Sequence, residues 1–419
     1  MNNLVIICAI LLLVLLFLKV PVYIAVLSAS AVYFIGTPGM NLSIFAQKTI
    51  SGAEGLSLLA IPFFVCAGIF MNYTGVTKRI MNCCEVLTAR MPGGLAQVNI
   101  LLSTLMGGLS GSSLADAAMQ CKMLVPTMES KGYSKSFSTV ITAASGMVVP
   151  LIPPGVGLII YGCINNISIG KLFIAGIGPG IVLCVTLMIF THFLSKKRGY
   201  LPSRTTKIPV SEKIAAVRPA FLPLLLPIII IGGVRIGVFT ASEAGTVAIV
   251  YAVLLGLLYK ELTLKNVMQG CKETVTTTAS IMLIVAAATC FSWILTKEQI
   301  PQQFSQWMIS NIHNKYVFLI MVNIFLLIVG MFIEGNASMI VLAPLLHPVA
   351  MAYGIDDIHF AMVYIFNCTI GAFTPPMGTL MFVSCGITKC PTKDFIKEAV
   401  PFYILFAIDI IVLTYIPQL

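Results

Sequence analysis

The sequence predicts an all-α polytopic membrane protein made of two inverted repeats, each holding a re-entrant helical hairpin and a transmembrane helix broken at proline. Three observations carry this expectation. Of the 419 residues, 58% are hydrophobic and only 10% are charged, and the mean hydropathy is +1.00. An average soluble domain is about 45–50% apolar and about 25% charged. Apolar runs recur along the chain at close to the ~20 residues that cross a hydrocarbon core of ~30 Å. Interrupted segments return after 222 residues, Pro153-Pro154 with Pro375-Pro376 and Gly108 with Gly330. So little charge cannot clothe a soluble enzyme of this size. The composition also excludes a disordered chain and a disulfide scaffold. The 25 Lys and Arg form no basic stripe of the kind that nucleic acid needs, so no nucleic-acid partner is expected.

In chain order the apolar segments fall at 4–18, 22–36, 56–74, 95–125, 137–162, 172–194, 219–235, 243–259, 276–295, 317–350, 358–384 and 400–417. The first has no basic region before it and no small-residue cleavage site after it, so it reads as a retained helix. Residues 1–55 are expected as N-terminal scaffold helices. Residues 56–194 form a first repeat with hairpin 95–125 and broken helix 137–162. A basic cytoplasmic linker at 195–218 leads to a second repeat, 219–419, with hairpin 317–350 and broken helix 358–384. The two hairpin segments are too long for one crossing and carry Gly, Ser or Asn near their middles. Each Pro-Pro pair removes backbone donors and blocks a continuous helix. Such breaks survive at membrane depth only where protein or a watery cavity satisfies the freed groups.

The basic residues test this layout. With the N-terminus outside and both hairpins in place, 20 Lys and Arg fall inside and five (Lys48, Lys171, Arg235, Lys297, Lys315) outside, as the positive-inside rule asks. A single crossing for either long segment destroys the split. Both termini are therefore expected on the outer side, and the hairpins open from opposite sides. Two halves of opposite orientation, each with a hairpin and a broken helix, are the sequence sign of a secondary transporter. The 12 cysteines lie mostly in apolar segments without a Cys-x-x-Cys pair and read as core thiols.

The chemistry sits at the breaks. Gly107-Gly108-Leu109-Ser110-Gly111-Ser112-Ser113 reads as an opened hairpin tip whose carbonyls and hydroxyls can coordinate a hard cation, against the plainer reading of small-residue helix packing. It faces Val149-Pro150-Leu151-Ile152-Pro153-Pro154-Gly155, whose unwound carbonyls can complete a Na⁺ site. The second half offers Glu334-Gly335-Asn336-Ala337-Ser338 against Gly371-Ala372-Phe373-Thr374-Pro375-Pro376-Met377-Gly378. An oxygen-rich, donor-poor site does not suit zinc or copper, which want His and Cys. Helix N-termini at the tips provide positive dipole ends for a substrate carboxylate. Asp116 reads as a cap of the second hairpin arm, Glu243 as the acid of a capping box after Thr240, and Asp409 has no nameable partner. Among enzyme signatures there is no His-Glu-x-x-His, Gly-x-Ser-x-Gly or Walker motif, so no catalytic residue is expected.

Six motifs then occur in a familiar order: Ser57-Leu58-Leu59-Ala60-Ile61-Pro62-Phe63-Phe64, Met91-Pro92-Gly93-Gly94-Leu95, Ser110-Gly111-Ser112-Ser113-Leu114-Ala115-Asp116, Ile152-Pro153-Pro154, Gly237-Val238-Phe239-Thr240 with Glu243-Ala244, and Thr374-Pro375-Pro376. Over its whole length the chain resembles the large permease subunit of tripartite ATP-independent periplasmic (TRAP) transporters, the DctM-like family of the ion transporter superfamily. The resemblance implies a Na⁺-driven, elevator-type importer of the bacterial inner membrane. It also implies a small four-helix membrane subunit, a periplasmic substrate-binding protein, and an organic acid as substrate (a C4-dicarboxylate, sialic acid or another sugar acid).

Carried over by motif, the resemblance puts one Na⁺ site at Ser110, Ser112 or Ser113 with carbonyls near Val149, Ile152 and Pro154. It puts a second at Gly330 or the turn from Glu334 to Asn336, with Gly371, Thr374 and Met377. Ser112, Gly155, Asn336 and Thr374 are the expected substrate contacts. The chain departs from the family at Gly155, where Ser is usual, at Glu334-Gly335, which replaces Asp-Pro, and at Ala241-Ser242, which replaces Pro-Thr. Two other readings stay open at this point, a stand-alone Na⁺/carboxylate symporter and a passive channel or membrane assembly subunit.

Overall fold

In the computed structural model, residues 3–18 and 20–417 are described, without the side chains of Asn3, Leu56 and Ser57. Lys19, counted above on the inner side, lies outside the described residues, as do the extreme ends on which the expected outward termini fall. The described residues are helical throughout and contain no strand. The first group is α1 (Asn3–Phe17), α2 (Val22–Gly36), α3 (Leu42–Ser51), α4 (Ala60–Asn72) and α5 (Val76–Thr88). Then come α6 (Gly94–Ser110), α7 (Ser113–Ser130), α8 (Lys135–Gly146), α9 (Val156–Asn165) and α10 (Ile169–Lys197). Past the basic linker lie α11 (Val210–Arg235), α12 (Ala241–Leu258), α13 (Leu264–Lys297) and α14 (Ile300–Asn311). The chain closes with α15 (Lys315–Phe332), α16 (Gly335–Ala352), α17 (Asp357–Phe373), α18 (Thr379–Thr388) and α19 (Thr392–Tyr415).

Six of these, α10 to α13, α15 and α16, are long and apolar enough to cross a membrane. The pair α4 and α5, bent by 68°, makes a seventh. The outward faces explain the composition. On α10, Ile181, Val185, Ile189 and Phe193 recur every four residues and are 51%, 46%, 53% and 66% exposed. Water disfavours such a stripe by about 25 cal/mol per Å², whereas lipid solvates it. This is a multi-pass membrane protein.

The long apolar segments 95–125 and 317–350 each fold as two helices. α7 runs back along α6: Asn99 Nδ2 approaches the Met128 sulfur at 3.2 Å, and Gln120 Nε2 donates to Ser103 Oγ at 2.6 Å. α16 likewise returns to the start of α15, where Phe318 stacks on Tyr353 at 4.5 Å and the Tyr353 hydroxyl donates to the Ile312 carbonyl. Segments 137–162 and 358–384 are each split, α8 from α9 by the stretch around Pro153-Pro154 and α17 from α18 by Thr374–Gly378. Both Pro-Pro peptide bonds are cis. The halves interlock crosswise: α7 packs on α18, and α16 on α9. α13 touches α2, α3 and α4 as well as α16.

Three helices, α3, α5 and α14, lie outside the expected apolar segments. α5 is amphipathic, burying Val76, Ile80, Cys83 and Cys84 while carrying Lys78, Arg79 and Glu85, so it presents no apolar run. α3 starts on an Asn41 cap and α14 on Pro301, signals of a helix start that an apolar-window reading passes over. α13 starts twelve residues before the expected segment (264 against 276) and α11 nine before it (210 against 219), for the same reason. The capping box at Thr240 and Glu243 is present as expected.

Asp116 differs from expectation. Ser112 caps α7 by accepting from the Ala115 N–H at 3.4 Å, while Asp116 Oδ2 accepts from Ser103 Oγ at 2.6 Å and from Gln120 Nε2 at 2.8 Å. The carboxylate ties the two hairpin arms together. Asp409, 1% exposed, accepts from Thr186 Oγ1 at 3.0 Å, a partner 223 residues away.

Candidate translocation site

The first tip forms where α6 ends. Gly111 adopts φ +62°, and a Cβ there would sit 2.8 Å from the Pro154 carbonyl oxygen, so both the turn and the approach require glycine. Its own carbonyl accepts from the Val156 N–H at 3.4 Å. One turn earlier, a Cβ on Gly107 would lie 3.2 Å from the Val149 Cα and 2.9 Å from the Ile152 Cβ, and one on Gly108 would lie 3.3 Å from the Pro153 carbonyl oxygen. The tip therefore rests on the broken segment at Val149, Ile152 and Pro154, the residues expected there. Pro150, Pro153 and Pro154 carry no N–H, so this wall is rich in carbonyls and poor in donors. Ser110 Oγ, in the same tip, is buried without a hydrogen-bond partner, and such a buried orphan calls for an explanation.

The second tip has the same register. Glu334 caps α16 as Ser112 caps α7, accepting from the Ala337 N–H at 3.1 Å. Gly330 meets Gly371 of the second broken helix backbone to backbone. Thr374 donates to the Ile370 carbonyl at 2.7 Å, and its own carbonyl accepts from the Gly378 N–H at 3.1 Å. Met377 lies half-buried in this break.

Between the tips is a cavity of about 500 Å³. Ser110, Ser112, Ser113, Glu334 and Asn336 line it. Four helix N-termini reach its wall, those of α7 at Ser113, α9 at Val156, α16 at Gly335 and α18 at Thr379. Converging N-termini place partial positive charge and free N–H groups on one volume, a setting for an anion. Glu334 is the one carboxylate on the wall, and no Lys, Arg or His lines it. Among the described residues no group of three His, Cys, Asp or Glu gathers that could hold a metal.

Several expected contacts lie elsewhere. Gly155, expected against substrate, is buried; a Cβ there would fall 2.1 Å from the Pro150 carbonyl oxygen. The turn closes on itself at that point, which leaves Gly155 no face toward the cavity. Thr374 likewise does not line the cavity, which Ala372 and Thr379 on either side of it do. Val149, Ile152, Pro154, Gly330 and Gly371 pack at the tips without lining the cavity, and Met377 does not line it either. The sequence reading missed the opposite wall, Asn72 of α4 and Thr276, Thr277 and Ser280 of α13. Its signal was the hydroxyl run Thr276-Thr277-Thr278-Ala279-Ser280 inside an apolar span.

Comparison with known proteins agrees with this architecture. Residues 9–419 match the family described as the tripartite ATP-independent periplasmic transporter, DctM component. The chain is 40% identical over 399 residues to the sialic acid TRAP transporter large permease protein SiaM of Vibrio cholerae, covering 94% of this chain and 93% of that one. It is 35% identical to the 2,3-diketo-L-gulonate TRAP transporter large permease protein YiaN of Escherichia coli (95% and 94% covered). It is 36% identical to the C4-dicarboxylate TRAP transporter large permease protein DctM of Pseudomonas aeruginosa (89% and 87%). Among solved structures, the Alcanivorax borkumensis YdaH transporter shares the fold, with a TM-score of 0.64 at 13% identity over 94% of this chain and 96% of that one. A match along almost the whole chain and relatives at 35–40% identity over nearly their full lengths lead to one conclusion: the chain belongs to the DctM family of TRAP transporter large permease proteins.

Proposed function

We propose that this chain is the large membrane subunit of a Na⁺-coupled importer of organic acids in a bacterial inner membrane, with both termini periplasmic. The observation that carries the reading is the cavity between the two hairpin tips, where four helix N-termini converge and no basic side chain competes for the anion. The relatives named for sialic acid, C4-dicarboxylate and 2,3-diketo-L-gulonate transport point to a carboxylate in that cavity. Ser112 and Asn336 are its nearest polar contacts, assisted by Ser280.

Na⁺ fits the two tips. At the first, the unpartnered Ser110 hydroxyl, with Ser112 or Ser113, would combine with the carbonyls of Val149, Ile152 and Pro154. At the second, Gly330, Glu334, Asn336, Gly371, Thr374 and Met377 form the corresponding set. Hydroxyl, carboxylate and carbonyl oxygens suit a hard cation. Bound Na⁺ would supply positive charge beside the substrate and link its movement to the sodium gradient.

In this reading, residues 56–194 and 219–419 are inverted repeats. Their hairpins and broken helices move together as an elevator against the remaining helices, residues 1–55 among them, and the basic linker 195–218 is cytoplasmic. A small four-helix subunit packs on the outer helices, and a periplasmic binding protein delivers the substrate. The test is uptake of radiolabelled succinate or N-acetylneuraminate into proteoliposomes holding both membrane subunits, with binding protein outside and an inward Na⁺ gradient. Uptake that needs all three parts and Na⁺ supports the reading. Full-rate uptake by this chain alone would instead make it a stand-alone symporter, and non-saturable flux without Na⁺ a channel.

A further inference from the structure

A second polar cleft, of about 440 Å³, continues the central cavity along the same three helices. α13 lines the cavity from Thr276 to Ile284 and the cleft from Val285 to Thr296. α9 lines the cavity at Val156 and Gly157 and the cleft at Cys163 and Ile164, with Asn166 just past its end. α16 does the same with Asn336 and Met339, then Ile340 and Pro344. The two volumes therefore lie end to end in one crevice. Ser280 and Ser292 mark their centres on α13, about 18 Å apart at 1.5 Å per residue. The cleft lies toward the side that the basic-residue distribution assigns to the exterior.

Its chemistry differs from that of the cavity. Lys48 of α3 lines it, half-buried, with its ammonium 5.8 Å from the Trp293 ring centroid. No carboxylate lines the cleft, and no carboxylate of the described residues pairs with Lys48. Thr289 and Thr296 donate their hydroxyl protons to carbonyls of their own helix, Val285 and Ser292. The Ser292 hydroxyl, the Trp293 indole N–H, the Asn166 amide and the Lys48 ammonium all line the cleft. These four donors have no hydrogen-bond acceptor within the described protein. The end of α3 packs closely on α13, since a Cβ on Gly52 would fall 2.7 Å from the Thr289 Cβ, so Lys48 is carried on a helix held against α13. A cation beside three free neutral donors and no acid is a site for a carboxylate or a similar oxyanion.

We propose that this cleft is a receiving site for the organic anion, where Lys48 holds the carboxylate on the outer side before it passes along α13 to the cavity between the hairpin tips. The proposal rests on the reading of the chain as an organic-anion permease. It adds a second binding station, on α3 and the outer part of α13, and names the cation that attracts the substrate. The central cavity offers helix N-termini but no basic side chain, so the one full positive charge of the path is placed at its mouth.

The chain holds two tryptophans, Trp293 and Trp307, and a Trp307→Phe background makes Trp293 the sole reporter. The full chain, purified with its small subunit, is titrated with succinate and with N-acetylneuraminate at constant ionic strength, and the same variants are assayed for uptake. The expected result is a saturable change in Trp293 emission that Lys48→Gln weakens at least tenfold and Lys48→Arg weakens less than threefold. Uptake by Lys48→Gln should show a raised KM with the maximal rate largely kept. Identical titrations for wild type and Lys48→Gln, or an equal response to chloride, would overturn the proposal. So would normal saturable uptake without any carboxylate-dependent emission change. A Lys48-dependent titration in a protein that transports none of the tested acids would keep the anion site and sink the transport reading instead.

Discussion

Gly330 and Gly371 touch backbone to backbone where the second hairpin crosses the second broken helix: a Cβ on Gly371 would lie 2.6 Å from the Gly330 Cα, and one on Gly330 would lie 2.9 Å from the Gly371 Cα. Small residues that let helix backbones meet are a main source of packing in a bilayer, where apolar side chains gain little by leaving lipid. Gly371→Ala must push the two elements apart, at a cost of about 1–3 kcal/mol. The expected outcome is a lower unfolding temperature and slower uptake. Gly335→Ala is the control, because its Cβ would meet only ordinary contacts, the nearest at 3.5 Å. Equal behaviour of the two variants in a thermal melt would refute the close-approach argument.

Ser110 separates structure from ion binding. Its hydroxyl has no protein partner, so Ser110→Ala should leave folding unchanged or slightly improved. If the hydroxyl ligates Na⁺, half-saturation for Na⁺ in uptake rises roughly tenfold, equivalent to about 1.4 kcal/mol. A stable variant with unaltered Na⁺ dependence would remove Ser110 from the first ion site.

Glu334 combines a cap and a charge. Glu334→Gln keeps an oxygen to accept from the Ala337 N–H but removes the one carboxylate of the cavity wall. The melt should hardly move, while apparent Na⁺ affinity falls roughly tenfold through loss of charge attraction. Glu334→Ala also loses the cap, at about 1 kcal/mol. If Glu334→Gln leaves Na⁺ dependence intact, the second site does not use this charge.

Thr186 and Asp409 join α10 to α19 by a part-buried hydrogen bond. Thr186→Val strands the Asp409 carboxylate and should cost about 1–3 kcal/mol. Thr186→Val with Asp409→Leu replaces both partners by apolar groups and should recover most of that loss. A double variant less stable than Thr186→Val alone would show that the pair contributes more than mutual satisfaction.

The parts legible in the sequence were those that violate the rules of a membrane helix. Pro153-Pro154, Pro375-Pro376 and the Gly-Ser tip at 107–113 cannot continue a helix, so their interruption of apolar runs was visible without coordinates. The wall formed by Thr276, Thr277 and Ser280 was not. Thr276 and Ser280 donate to carbonyls four residues back, as hydroxyls in membrane helices commonly do. Nothing local reveals that their other side faces a cavity. The partner of Asp409 is 223 residues away, beyond any periodicity argument. Asp116 reads locally as a cap, but Ser112 stands one turn earlier with the better reach to the free N–H groups, which freed the carboxylate to bridge the hairpin arms. α5 and α14 were hidden by their amphipathic or polar composition.

The central claim is that the hairpin tips carry the site along α13. Cysteine pairs measure this directly, Asn336→Cys with Ser280→Cys and Asn336→Cys with Ser292→Cys, with the single-cysteine variants as controls against the native thiols. Asn336 and Ser280 line one cavity in this structure, whereas Ser292 belongs to the outer cleft. The account predicts that both pairs cross-link in the membrane, and that Na⁺ with loaded binding protein shifts the balance between them. Cross-linking of the Asn336–Ser280 pair alone under every condition would contradict it.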